Sequence, residues 1–220
     1  MLMNIDYVKV PLTFPTIDQT STVSSDIASM KNYRHVDLFI TVGPIGKAAA
    51  ITLNKSGAVA AATVALAFTK YYATGCILKY TTPSVDTPAE PAETIAGAGG
   101  AAATLYKDTG SELIMYGWDG DTFVDGETVT LSGGKTVVAD GIQINEDIMV
   151  PCTATSNTFN LAAVASRQYM IPIDSDMLGD GYDCIQVEVA DCDTATHLAI
   201  DAIFSKPRYG SEIPETVLYD

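Results

Sequence analysis

Two histidines, one tryptophan and four cysteines are all that a chain of 220 residues offers of those chemistry-bearing types. Cations are scarce as well: 12 Lys and Arg stand against 27 Asp and Glu, a formal net charge of -15. A surface of that sign repels polyanions, so no nucleic-acid partner is expected. Long apolar runs are missing too. "AVAAATVALAF" (58–68) falls short of the roughly 18 residues of a membrane span and ends in "TKYY", so no membrane partner is expected. Asp6 and Lys9 interrupt the apolar start before a signal-peptide core can form, and no export signal is expected.

The cysteines, Cys76, Cys152, Cys184 and Cys192, show no C-x2-C spacing, and two histidines are too few to complete a mixed zinc set convincingly. They are expected to be small buried hydrophobes in a reducing compartment. A G-x-S-x-G elbow and a G-x-x-x-x-G-K-[ST] loop are both lacking. "GAGGAAATLYKD" (97–108) follows a Pro-rich stretch rather than a strand, which disfavours a phosphate cradle. His35 and His197 each stand near the start of a strand, outside any nucleophile–base pattern. With Trp118 the one tryptophan, an aromatic-lined sugar cleft has little support. The expectation is a protein that is not an enzyme and carries no cofactor.

What is present reads as strands. Hydrophobic residues make up 47% and charged residues 18%, which suits a packed globular chain rather than a disordered one. "HVDLFITVG" (35–43) alternates Val36, Leu38, Ile40 and Val42 with Asp37, Phe39 and Thr41, a half-buried strand. "AAITLNKSG" (49–57) repeats the pattern after "VGPIG", and the two read as a hairpin. "LAFTKYYATG" (66–75) and "CILKYTT" (76–82) read as two further strands, while "AVAAATVA" (58–65) suits a short helix or an extended crossover. "SNTFNLAAV" (156–164), "QYMIPID" (168–174), "YDCIQVEVAD" (182–191) and "THLAIDAIFSKPRYG" (196–210) continue the series. Strand–helix alternation is absent, so the expected fold is all-β, a β-sandwich for which a jelly roll is one topology.

The expected organisation follows composition. Residues 1–20 read as an N-terminal extended arm, and 21–82 with 152–210 as the sandwich core. Residues 83–111, rich in Pro, Gly and Ala, read as a linker. Residues 112–151, with Asp-Gly and Gly-Gly steps at 119–120, 125–126, 133–134 and 140–141, read as an inserted β-meander. Residues 211–220 form the C-terminal tail.

Two groups of side chains stand out as sites. "IDSDMLGDGYDC" (173–184) gathers Asp174, Asp176, Asp180 and Asp183, oxygen donors of the type calcium takes. The spacing matches no EF-hand, and Asp with Gly is also what a tight turn prefers, so a turn is the leading reading and calcium the second. Lys31, Arg34 and His35 make a positive spot on an acidic chain, suited to docking rather than catalysis. The arm adds Tyr7, Val8, Val10, Leu12 and Phe14, apolar residues that either join a neighbour's sheet edge or form an edge strand of their own sheet.

"STVSSDIASMKNYRHVDLFITVG" (21–43), "AAITLNKS" (49–56), "ALAFTKYY" (65–72), "TSNTFNL" (155–161), "YMIPIDSDML" (169–178), "GYDCIQVEVAD" (181–191) and "RYG" (208–210) occur in this order. Together they resemble virion proteins of tailed bacteriophages encoded among head genes, most closely capsid decoration, or head accessory, proteins. The likeness covers roughly 17–82 and 152–210, and 83–150 departs from the shorter members as an insertion. It implies a structural protein that binds the outside of a capsid, with the major capsid protein and its own copies as partners, a homotrimer being the expected oligomer. Assembly in the host cytoplasm and residence on the capsid surface follow. The alternative is a virion or tail binding module whose insert contacts a receptor or glycan.

Overall fold

The structure, a computed structural model, describes every residue except 1–6, 13–19, 59–61, 82, 84–88, 90, 120, 122, 144–147, 194–195, 209–217 and 220. In chain order the strands are β1 (Tyr7–Pro11), β2 (Val23–Ser24), β3 (Ile27–Ser29), β4 (Tyr33–Val42), β5 (Ala49–Ser56), β6 (Val64–Ala65) and β7 (Lys70–Thr81). Next come β8 (Thr94–Gly97), β9 (Ala102–Asp108), β10 (Glu112–Tyr116), β11 (Thr128–Leu131), β12 (Thr136–Gln143) and β13 (Met149–Thr153). The series closes with β14 (Thr158–Leu161), β15 (Arg167–Asp174), β16 (Cys184–Val189), β17 (Leu198–Pro207) and β18 (Leu218–Tyr219). One 3-10 turn, Ser175–Met177, follows β15. Among the described residues no helix is long and apolar enough to cross a membrane. The chain divides into two compact units, 1–71 with 153–220, and 72–152.

The first unit is a β-sandwich of two antiparallel sheets. One runs β1-β17-β4-β15, the other β14-β5-β16-β3-β18, with β2 on β16 and β6 on β5. Taken in sequence, β1, β3, β4 and β5 pair outside-in with β17, β16, β15 and β14, a long folded hairpin rolled into two sheets. That is a jelly-roll strand order. Alternation explains it. Val36, Leu38, Ile40 and Val42 of β4 are all buried, as are Ile185, Val187 and Val189 of β16, each contributing roughly 1.5–3 kcal/mol on burial. Phe159 on β14 stacks on Tyr71 with ring centroids 4.2 Å apart and reaches Tyr169 of the opposite sheet at 5.5 Å.

The second unit is a small barrel. β7 pairs with β10, then β9, β8, β11 and β12 follow, and β12 pairs back onto β7. The six strands therefore close without a free edge. Leu78, Ile95, Leu105, Leu113, Phe123, Val129 and Leu131 fill its interior, and Trp118 packs against that core. Gly75 is required where β7 runs beside both β10 and β13: an added Cβ would collide with Val150 and lie 2.9 Å from the Met115 carbonyl.

Four expectations need correction. β4 and β5 are not a hairpin; they belong to different sheets, and "VGPIG" carries the chain across the sandwich. Gly43 and Pro44 there bond to His197 backbone atoms instead of to each other's strand. Residues 70–81 form one strand of 12 residues rather than two, because the Thr74-Gly75 step continues straight through. The stretch 83–111 is no linker, since β8 and β9 lie within it and Ala101 and Ala103 are buried. Alanine is too small to register as core in a composition count, yet here it is buried among larger side chains. For the same reason 112–151 is part of a barrel that also needs β7, β8 and β9, and the boundary falls at 72 rather than 83. Of the two readings open to the arm, the structure takes the second: β1 is an edge strand of its own sheet, Val10 and Leu12 are buried, and Lys9 pairs with Asp201 at 2.9 Å.

Phe159→Ala should cost the sandwich about 3–5 kcal/mol, read as a fall in its urea midpoint, because three aromatic contacts go at once. Val124→Ser, at a position 55% exposed in the barrel, should stay within about 0.5 kcal/mol.

Candidate functional site

Three strands meet at Arg34 and His35, two residues of the expected positive spot. β4 lies between β17 and β15, with His35 facing Ser205 on one side and Asp174 on the other. His35 is held from both ends of its ring: Nδ1 lies 2.7 Å from Asp174 Oδ1, and Nε2 lies 3.1 Å from Asp37 Oδ1. Both contacts are hydrogen bonds only in the doubly protonated ring. With each nitrogen facing a carboxylate, neither is left to take a proton from a hydroxyl. The ring is a bridge between β4 and the end of β15, not a general base.

Beside that bridge opens a surface cleft of about 800 Å³. Arg34 on β4 with Lys206 and Arg208 at the end of β17 supply its cations, and Asp174, Ser175 and Asp176 its other polar lining. Arg208 is fixed by Nε donating to the Tyr33 carbonyl at 3.2 Å and by its backbone N–H donating to Asn32 at 2.9 Å. The 3-10 turn is tied by the Leu178 N–H donating to Ser175 and by the Asp174 N–H reaching the Met177 sulfur at 3.4 Å. The cleft can hold charged groups of both signs; its one hydroxyl, on Ser175, has no base in hydrogen-bond reach among the described residues.

A second polar cluster sits inside the barrel. The Asp108 carboxylate accepts from Lys135 Nζ at 2.6 Å and the Ala89 N–H at 2.8 Å on Oδ2, and from Tyr80 at 2.7 Å and the Gly110 N–H at 2.8 Å on Oδ1. Burial alone would push this carboxyl up, but those four donors, Lys135 foremost, outweigh it and hold it at about 2 instead of 3.8. The same burial, with Asp108 beside it, drives the Tyr80 phenol well above its ordinary range. Every lone-pair direction has a donor, so the cluster is a fastener joining β7, β9 and the β11–β12 turn.

The remaining expected site residues are dispersed. Asp174 is spent on His35, Asp183 Oδ1 accepts from the Cys184 thiol at 3.2 Å, and Asp176 and Asp180 are exposed on separate turns. Among the described residues no three His, Cys, Asp or Glu side chains are grouped to hold a metal. Lys31 is exposed on the turn before β4, and His197 is exposed at the start of β17. The backbones of Tyr7 and Val8 pair with Ser205 and Phe204, whereas Phe14 lies outside the described residues. All four cysteines are buried thiols outside any disulfide; burial, then the Asp183 carboxylate, raises Cys184 to about 11. Lys206, Arg208 and the Asp108–Lys135 pair escaped sequence reasoning. "SKPRYG" (205–210), two cations around a proline in an acidic chain, was the signal for the first two.

No family model matches the chain, and no curated protein matches it. A solved structure of the SPBc2 prophage-derived protein YomS aligns over 93% of this chain and 97% of its own, at 8% identity and a TM-score of 0.32. The structure of infectious bursal disease virus, Gx strain, aligns over 97% of this chain and 44% of its own, at 9% identity and a TM-score of 0.17. Likenesses this distant carry no argument. The fold and cleft define an all-β jelly-roll protein with an inserted barrel.

Two outcomes are expected from the barrel and the thiols. Lys135→Met leaves a buried carboxylate without its cation and should destabilise the barrel by about 3–5 kcal/mol, followed through Trp118 fluorescence. In the wild type Asp108 contributes roughly 2 kcal/mol that is fully present above pH 3.8 and lost as pH falls towards 2, so the stability of the barrel should drop by that much across the window, and the drop should shrink in the variant, whose carboxyl has lost the lysine that holds it down. At pH 8 the folded protein should show no fast thiol titration with a disulfide reagent, and all four thiols should react in urea.

Proposed function

We propose that the protein is a structural component of a tailed-bacteriophage particle, a decoration protein that binds the outside of the capsid as a homo-oligomer, a trimer being the expected form. The observation that supports this most is the jelly-roll order of the sandwich, an architecture used repeatedly for particle building blocks. A fold alone does not assign a role. The ordered run of segments resembling head-encoded virion proteins falls mainly on strands of this sandwich, which supports the same reading. Function here is contact rather than chemistry: the histidine beside the cleft has both nitrogens occupied by carboxylates. A net charge of -15 keeps copies apart in solution until specific contacts gather them. Many modest contacts repeated over a lattice suffice for tight retention.

A second reading is favoured by the barrel. It closes on itself around its own core, so it can act as a separate module that contacts a receptor or glycan at the particle surface. Copy number separates the two. A quantified gel of purified particles should show the protein in hundreds of copies, stoichiometric with the capsid lattice; a handful per particle would favour the receptor-binding module, and none at all would remove both.

A further inference from the structure

The cations of the cleft are arranged against their own interest. In the β17–β4 register Ser205 faces His35 and Pro207 faces Tyr33, which places Lys206 beside Arg34. Like charges side by side on neighbouring strands repel. Lys206 also stands at φ 55, a left-handed conformation that costs a residue with a Cβ on the order of 1 kcal/mol. Arg208 adds a third positive charge to the same opening.

Relief lies nearby and is not used. Asp174 and Asp176 line the other flank of the cleft, yet among the described residues neither forms an ion pair within 4 Å with Arg34, Lys206 or Arg208. Elsewhere on the surface such pairs do close, Lys9 on Asp201 at 2.9 Å and Lys47 on Asp191 at 2.7 Å. One of the cations and both carboxylates are held where they stand. Arg208 is pinned to the Tyr33 carbonyl, the Asp174 carboxylate is drawn away by His35, and the 3-10 turn holds Asp176 apart. Three clustered cations, crowded, strained at one position and without an ion pair among the described residues, describe a site able to take an anion from outside.

We propose that this cleft is a docking site for an acidic segment of a partner polypeptide, whose Asp or Glu side chains pair with Arg34, Lys206 and Arg208. A nucleic acid would have to approach a chain of net charge -15 and is disfavoured. A single small anion fills little of about 800 Å³, whereas several consecutive residues match it. The carboxylate flank sets polarity: Asp176 rejects uniform negative charge on its side and fixes which way the segment lies. The identity of the partner as a neighbouring shell polypeptide rests on the structural-protein reading above; the site itself does not.

The test uses the full chain and a fluorescein-labelled oligoglutamate peptide of about ten residues, with anisotropy read at low and moderate salt. Saturable binding to the wild type is expected, weakened roughly threefold to tenfold by Arg34→Gln and by Lys206→Gln, and weakened further when both are combined. A matched oligoglutamine peptide should not bind. Lys206→Gly gives an independent readout: it removes the backbone strain and should raise the Tm while weakening the peptide, which a purely structural lysine would not do. The proposal is overturned if the peptide does not bind, if the double variant binds it as well as the wild type, or if inorganic phosphate competes at equal concentration of charge, which would mark a small-anion site. Particle copy number is measured separately. Lattice-wide copies without peptide binding would sink the cleft alone, and peptide binding without particle association would sink the virion role alone.

Discussion

Strand β4 is paired along its length on both sides, from Val42↔Arg167 to His35↔Asp174 with β15 and from Val42↔Leu198 to Tyr33↔Pro207 with β17. Slipping either pairing by one residue would turn Val36, Leu38, Ile40 and Val42 towards water and Asp37 and Phe39 inwards. The register is therefore fixed by burial, and everything at the polar end of the sheet inherits its position. His35 meets Asp174 because of it, Lys206 comes beside Arg34 because of it, and the cleft exists where these three strand ends meet.

That dependence explains what could be read in advance. Period-two alternation is a local property, so β4, β5, β14, β15, β16 and β17 were all visible in the sequence. Sheet membership is not local. The step from β4 to β5 carries hairpin residues and yet crosses the sandwich, because each strand finds a better partner far along the chain, β5 with β14 and β16, β4 with β15 and β17. The barrel was missed for a different reason. Ala101, Ala103 and Ala139 are buried in its core among larger side chains, and small residues look like linker when counted by composition. At the site, Arg34 was legible as a basic residue at a strand entry. Its companions Lys206 and Arg208 lie more than a hundred and seventy positions later, and only pairing brings them near.

The two units spend their charged residues in opposite ways. Inside the barrel Asp108 and Lys135 are buried and every acceptor is matched, an arrangement that specifies which strands meet and which turn covers them. At the sandwich surface Arg34 and Lys206 have no carboxylate partner among the described residues. Full satisfaction rigidifies a core, while unsatisfied charge held in place at a surface leaves interaction energy available to a partner.

The barrel is also placed to shape how the chain folds. It occupies 72–152, between β5 and β14, which must themselves pair. An unstructured loop of that length would oppose their meeting by on the order of 4 kcal/mol of closure entropy. β7 and β13, which lead into and out of the barrel, are hydrogen-bonded neighbours, so a barrel already formed delivers its two ends side by side. What looks like an interruption of the sandwich is thereby a clasp, turning a distant pairing of strands into an adjacent one.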